Sequence, residues 1–340
     1  MIGFNAKRMT NGIADAFPGI NTVCDCRRWL GQGGQVSSRK KPDGMPPAGG
    51  MPAADSLRFI ETRVVHAVRQ TLIQQETDYH LDTAEETFSS LWAHSARVAR
   101  IAFRIAGAEG LAEEPALLAG LLHDIGKFAC GSYHEDDIPE ERNAVPFVKR
   151  ILSGTVYERW IPTIEQAILS MYLEGEATTD IGRVVHDADN LDKLGNMGVV
   201  QFFTKKALRR QFLDNDVLIR AGVELTYAHH AQDTLKTATG RSLARERGIR
   251  TRRFYTELLE EWAGLGLGTF DILEEDIAGI ACILVVPCAC TCAGRLEIDS
   301  DIRDSVKCRS VVVTYHCQAC GIKSEFSFCL PKVKGLPRKS

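Results

Sequence analysis

The sequence predicts an all-α helical domain followed by a small β module rich in cysteine. Apolar residues recur at helical spacing from about residue 56 to residue 265, and strands and helices do not alternate as in a parallel-sheet protein. Beyond residue 287 the chain changes to short β-branched and aromatic runs such as RSVVVTYHC and KSEFSFCL. Seven of the 11 cysteines also fall there, between Cys288 and Cys329.

The helices follow in order from their spacing and end signals. The first has a stripe of apolar residues at Leu57, Ile60, Val64, Val68 and Leu72. The second is predicted to open at the capping box of Thr83 and Glu86 and to end near Gly107. Pro115 suits the first turn of the third helix. Further helices are predicted at VPFVKRIL, IEQAILSMYL, RVVHDADNLDKLG and VVQFFTKKALRR, followed by a long charged helix that ends near Trp262.

Changes in composition divide the chain into five segments. Residues 1–55 are rich in Gly, Pro and Ser, and we expect a disordered tail. Met45 and Met51 lie just before the helical pattern, which leaves open that part of this tail is an over-called translation start. The remaining segments are predicted as the helical domain 56–265, a connector 266–287, the cysteine-rich module 288–331 and a basic tail 332–340.

Charge and hydropathy exclude several classes of protein. The net charge of -3 and the pI of about 6.3 give no global basicity for binding nucleic acid. The N-terminus lacks the continuous apolar stretch of a secretory signal. The longest apolar run, Ile277 to Pro287, is too short to span a bilayer. We therefore expect a cytoplasmic protein with no membrane partner.

His123 and Asp124 stand side by side in the apolar run LLHDIGKF. A charged aspartate on a buried face is costly unless it is paired, and a cation is the simplest partner. His94, on the preceding helix, and Asp187 and Asp189, in an apolar helical stretch, are further candidate ligands. A mixture of imidazole and carboxylate ligands suits Mn²⁺, Mg²⁺, Fe²⁺, Co²⁺ or Zn²⁺.

The joint pattern H…HD…D resembles the HD superfamily of metal-dependent phosphohydrolases, with LLHDIGK as its most specific part. AHSARVARIA is similar to the helix of the first family ligand, and HDADNLDKLG to that of the last. The resemblance implies that His94, His123, Asp124 and Asp189 hold one divalent cation. It covers about residues 57–262, because the closing helices resemble a bacterial branch of small nucleotide phosphohydrolases.

The resemblance implies an enzyme that hydrolyses a nucleotide or related phosphate ester through a metal-activated water. Lys127 matches the lysine of HDIGK and is the leading candidate for a phosphate contact. Lys193 lies four residues after Asp189, on the same helical face, and Arg97 is three residues after His94. For both, a solvated or salt-bridged role is the alternative.

The general acid or base is less defined, and the acidic segment SYHEDDIPEER offers Glu141 and His134 as candidates. Two-metal relatives use additional histidines, but Ser170 and Met171 stand where a His-His pair would occur, so one metal is predicted. His229 and His230, which do form a His-His pair, are expected at the surface.

Two other functions are to be weighed against the phosphohydrolase. One is a regulatory module that senses a nucleotide without turnover and contacts a partner through the cysteine-rich segment. The other is oxidative chemistry at a di-iron site, which would need histidine ligands that the sequence does not supply. The intact ligand set favours the enzyme.

The cysteine-rich module is predicted to hold a structural zinc ion. Cys317 and Cys320 form a CxxCG turn that resembles a zinc-ribbon knuckle. The other half is irregular, because Cys288, Cys290 and Cys292 form CxCxC, and two of these three are expected to complete the site. A structural role is the simplest reading, since zinc stabilises a module too small for its own core. A contact with nucleic acid or protein is supported only by the basic tail KVKGLPRKS.

Overall fold

A computed structural model of the chain describes residues 56–79, 90–129, 140–172, 177–208, 211–277, 279–288, 296–304, 309–321 and 323–329. The helices are α1 Thr62–Tyr79, α2 Ser90–Ala108, α3 Glu113–Leu122, α4 Glu140–Leu152, α5 Ile161–Tyr172, α6 Asp180–Asp192, α7 Gly195–Leu208, α8 Asn215–Ile219, α9 Ala221–Thr234 and α10 Ala238–Gly264. The strands are β1 Phe270–Ile277, β2 Ile280–Pro287, β3 Leu296–Asp304, β4 Arg309–Cys317 and β5 Lys323–Cys329. The predicted fold class, a helical domain with a small C-terminal β region, is confirmed. The predicted tails, 1–55 and 332–340, lie outside the described residues.

The centre of the helical domain is α3, which packs against α2, α5 and α6. Every residue of this helix from Pro115 to Leu122 is buried. A helix that is apolar on all sides belongs in the middle of a core, with amphipathic helices around it. Among the described helices, none has both the length and the apolar character that crossing a bilayer requires.

The predicted HD motif lies in a series of tight turns directly after α3. Helix α3 ends at Leu122, before Asp124, and the N–H of Lys127 donates to the Asp124 carbonyl at 3.0 Å. Gly126 explains the compact turn, because an added Cβ would lie 2.4 Å from the backbone nitrogen of Ala144 on α4. Only glycine lets α4 approach this closely.

The β region consists of an antiparallel hairpin, β1–β2, and a three-stranded antiparallel sheet in the order β3-β4-β5. The side chains of β2 alternate between two cores: Ile283 and Val285 pack among the closing helices, and Leu284 and Val286 pack against Val313 and Tyr315 of β4. Burial on both faces explains why this strand is a continuous apolar run. The segment expected to be a connector, 266–287, therefore contains the hairpin.

Hydrogen bonds join β2 to α9. The Thr226 hydroxyl accepts from the N–H of Ile283 at 2.8 Å and donates to the Ile283 carbonyl at 3.2 Å. The Nε2 of His230 lies 2.7 Å from the Ala281 carbonyl, and this side chain is buried. The expectation that His230 is a surface residue is therefore wrong, because β2 covers this face of α9.

Candidate metal centre

The four predicted ligands come together from α2, α6 and the turn after α3. One ligand atom of each of His94, His123 and Asp189 lies within 4.8 Å of the other two. The Nε2 of His94 is 3.2 Å from the Asp189 carboxylate. The Asp124 carboxylate lies 3.6 Å from the Nε2 of each imidazole. Ligands bound to one ion at about 2.1 Å are separated by roughly 3 Å or more, so these spacings fit a shared cation.

His123 is held so that one ring nitrogen faces the site as an acceptor. Its Nδ1 lies 2.8 Å from the carbonyl of Gly120, which can only accept, so Nδ1 carries the proton. Its Nε2 is buried and has no hydrogen-bond partner in the described part of the chain. Burial lowers the pKa of His123 and keeps the imidazole neutral. A buried nitrogen without a partner is unfavourable, and a cation would satisfy it.

His94 is oriented by a carboxylate that the sequence did not single out. The Nδ1 of His94 donates to Asp192 at 2.8 Å, which leaves Nε2 directed at the other ligands. Asp192, only 1% exposed, also accepts two hydrogen bonds from Arg97, at 2.7 and 2.9 Å, and one from Gln201 at 3.0 Å. Carboxylates that fix the ring of a ligating histidine are a regular part of metal sites. The sequence offered one signal for Asp192, which is its spacing: it follows Asp189 by about one helical turn.

The charges at the site keep its carboxylates ionised. Burial alone would raise the pKa of Asp124 and of Asp189, but the neighbouring lysines and imidazoles outweigh it and lower both values. Burial would lower the pKa of His94, yet its hydrogen bonds with Asp189 and Asp192 raise that pKa to about 9. At neutral pH the metal-free site therefore carries a proton on His94.

Binding of a divalent cation is expected to release about one proton at pH 7.5, because His94 must be neutral to act as a ligand. The apparent affinity for Mn²⁺ should rise about tenfold per pH unit and level off near pH 9. Calorimetric titrations in buffers of different ionisation enthalpy measure the proton directly. An affinity independent of pH between 6 and 9 would contradict this picture of His94.

Both predicted lysines lie beside the ligands. Lys127 Nζ is 2.9 Å from the Asp124 carboxylate, and Lys193 Nζ is 2.9 Å from that of Asp189. Arg97 binds Asp192 instead, so it is a positioning residue. Glu141 is the second residue of α4, and its predicted role in proton transfer stays a prediction. His134 lies outside the described residues.

Asp187, the other aspartate singled out on α6, does not face the ligands. It is fully buried and accepts hydrogen bonds from the backbone N–H groups of Lys236 and Thr237, at 2.8 and 2.7 Å. The Thr237 hydroxyl adds a third, at 2.7 Å. Asp187 thus fixes the loop that precedes α10.

The predicted zinc ligands are described only in part. Cys288 follows β2, Cys317 ends β4 and Cys320 lies in the next turn, whereas Cys290 and Cys292 lie outside the described residues. The N–H of Gly321 donates to the Cys317 carbonyl at 2.9 Å, and Gly321 has a φ of 73°. A left-handed glycine of this kind closes the predicted CxxCG turn. The zinc site itself stays a prediction.

A family model, described as the HD domain, matches residues 91–194. The chain contains an HD domain. HD domains bind a divalent metal, and the matched range includes all four predicted ligands and Asp192. The predicted resemblance to the HD superfamily is therefore confirmed for the helical domain. The match does not reach the cysteine-rich module.

Several solved structures are similar to the chain at low identity. YpgQ of Bacillus subtilis is 22% identical, with a TM-score of 0.43 over 59% of this chain and 98% of that protein, and has also been solved in complex with ADP. A predicted HD superfamily hydrolase from an uncultured Thermotogales bacterium is 20% identical, with a TM-score of 0.42 over 61% of this chain and 98% of the other. No curated protein matches the chain.

Proposed function

We propose that the protein is a metal-dependent phosphohydrolase that acts on a nucleotide or a related phosphate ester. The observation that carries the proposal is the convergence of His94, His123 and Asp189, with a buried Nε2 of His123 that lacks a partner in the described part of the chain. The HD family match over the same residues supports it.

The ligand set accounts for where the chemistry would occur. His94, His123, Asp124 and Asp189 would hold a divalent cation, which would lower the pKa of bound water and polarise a phosphoryl oxygen. Lys127 and Lys193 are each fixed by a ligand carboxylate at 2.9 Å, which holds their ammonium groups at the edge of this site. There they can bind phosphate oxygens and stabilise the charge that develops on them. Glu141 and His134 are the proposed candidates for proton transfer to the leaving group.

The test is incubation with Mn²⁺ and a panel of nucleoside mono-, di- and triphosphates and cyclic nucleotides, with ion-exchange chromatography of the products. Conversion of one class is expected, and the product identifies the bond that is cut. Asp189→Asn serves as the inactive control, which excludes a contaminating phosphatase. No conversion with Mn²⁺, Co²⁺, Mg²⁺ or Fe²⁺ would contradict the proposal and favour a sensor.

We also propose a structural zinc ion in the cysteine-rich module, held by Cys317, Cys320 and two of Cys288, Cys290 and Cys292. Four thiolates would give the closed tetrahedral site that structural zinc prefers. Replacing both Cys317 and Cys320 with serine is expected to release about one zinc per chain. Metal content by mass spectrometry measures it, with a Cys24→Ser and Cys26→Ser variant as the control. An equal zinc content in the two variants would contradict the proposed zinc site.

A further inference from the structure

Helix α1 carries two polar residues on the face that is buried in the core. The apolar stripe of this helix consists of Val64, Val68 and Leu72, all of them buried at helical spacing. The next turn of the same face holds Gln75 and Glu76, whose exposed fractions are only 8% and 9%. Burial of a polar side chain is costly unless it makes hydrogen bonds, so the partners of these two residues show what they contribute.

Gln75 is bonded to the turn after α3, which carries Asp124. The Nε2 of Gln75 donates to the carbonyl of Ile125, the residue that follows Asp124, at a distance of 2.9 Å. One helical turn further along α1, the ring of Tyr79 stacks on the ring of Phe128, with the centroids 4.5 Å apart. Helix α1 therefore contacts this turn at two points, and the first of them is the peptide group directly after Asp124.

Glu76 is bonded to the beginning of α2, the helix that carries His94. Its carboxylate accepts from the Ser90 hydroxyl at 2.5 Å and from the N–H of Leu91 at 3.1 Å. The first N–H groups of a helix have no partners within the helix, and a carboxylate is a strong acceptor for them. Because His94 follows Ser90 by about one turn, these bonds hold the turn from which His94 projects.

Stability alone does not explain the choice of glutamine at position 75. The Oε1 of Gln75 is buried and has no hydrogen-bond partner in the described part of the chain, which is unfavourable. An apolar side chain of the same size would avoid this cost, but it would remove the donor that the Ile125 carbonyl now has. The N–H donor is therefore the property that distinguishes Gln75 from an ordinary core residue.

We propose that Gln75 and Glu76 are positioning residues of the metal centre. Gln75 fixes the place of Asp124 through the Ile125 carbonyl, and Glu76 fixes the place of His94 through the first turn of α2. Two consecutive residues of one helix thus set the distance between two ligand-bearing elements. Helix α1 ends before residues 91–194, the range that the HD family model matches. The inference rests on the proposed function and adds to its metal centre a helix outside the matched range.

The experiment measures the affinity of the full chain for Mn²⁺ by calorimetry, at a temperature at which circular dichroism shows every variant to be folded. Gln75→Met keeps the length of the side chain but removes the donor, and it is expected to weaken Mn²⁺ binding about tenfold. Glu76→Gln keeps only one of the two acceptor oxygens, and a loss of about threefold is expected. In Gln75→Met the visible absorption spectrum of bound Co²⁺ should also change, because a displaced Asp124 alters the coordination geometry.

Two controls on the same helix separate positioning from stability. Gln74→Met changes the neighbouring glutamine, which is exposed and donates to Asp78 at 2.7 Å, and it should leave the Mn²⁺ affinity within about twofold. Val68→Ala removes part of a fully buried side chain from the face that carries Gln75. It should lower the melting temperature but leave both the Mn²⁺ affinity and the Co²⁺ spectrum unchanged.

The outcomes distinguish this inference from the proposed function. If Gln75→Met and Glu76→Gln bind Mn²⁺ as tightly as the unaltered protein, the two residues do not position the ligands. The same conclusion follows if Val68→Ala weakens Mn²⁺ binding as much as Gln75→Met does, since a loss of packing would then be enough. If the unaltered protein binds no Mn²⁺, the metal centre itself is contradicted, and this inference fails with it.

Discussion

Asp189→Asn is expected to lower phosphohydrolase activity on the order of a thousandfold or more and to abolish tight Mn²⁺ binding. The carboxylate faces the Nε2 of His94 at 3.2 Å and that of His123 at 3.9 Å, and an amide of the same shape is a much weaker ligand. The side-chain volume is preserved, so the helices should remain folded. Activity, calorimetric metal titration and circular dichroism measure the three effects separately.

Asp180→Asn is the matched control for this change. Asp180 lies at the start of the same helix, α6, and forms an exposed ion pair with Arg183. Losing a negative charge there should cost only a few tenths of a kcal/mol and leave metal binding intact. If Asp189→Asn keeps the activity and the metal affinity of the unaltered protein, Asp189 is not a ligand.

Asp192→Asn is expected to lower metal affinity and activity by 10- to 100-fold, although Asp192 is not a predicted ligand. The asparagine amide can donate to Nδ1 of His94, which would move the ring proton to the nitrogen needed for the metal. The change also breaks a buried ion pair with Arg97, so the free energy of unfolding should fall by about 3 kcal/mol. Metal titration and urea unfolding at neutral pH measure these effects.

The pH dependence of stability tests Asp192 separately. Burial alone would raise the pKa of this carboxyl, but its hydrogen bonds with His94 and Arg97 lower it to about 2. A lowered pKa stabilises the fold above the ordinary value near 4, and the stabilisation of about 2 kcal/mol is lost as the pH falls towards 2. The asparagine variant should lack this part of the acid sensitivity.

Arg97→Gln distinguishes the two functions of Asp192. It removes the ion pair but leaves the contact between Asp192 and His94, so we expect lower stability with a smaller loss of metal affinity. Equal losses of metal affinity in Arg97→Gln and Asp192→Asn would indicate that the carboxylate acts only through the fold.

The sequence was sufficient for the helical class, which depends on local patterns, and the resemblance to the HD superfamily named the residues that the fold brings together. Adjacent His123 and Asp124 in an apolar run, and Asp189 in the stripe of its own helix, identify inward-facing polar groups without knowledge of the packing. Asp192 was missed because its role depends on which face of α2 meets α6.

The hairpin shows a different limit. An apolar run such as IACILVV fits a strand buried on both faces or a short buried helix, and periodicity does not separate the two. The segment was predicted only as part of a connector, although its β-branched residues are typical of a strand. The expectation of a surface position for His230 was wrong because the partner that covers it, β2, is some 50 residues away in the chain.

Because β2 contributes side chains to the core of the closing helices and to the core of the sheet, neither layer can open without the other. We therefore expect one cooperative unfolding transition for the described helices and the hairpin together. A cation at the metal centre stabilises the whole folded state by mass action. Amide hydrogens of β2 should then exchange more slowly when Mn²⁺ is bound, even though no metal ligand is predicted on that strand.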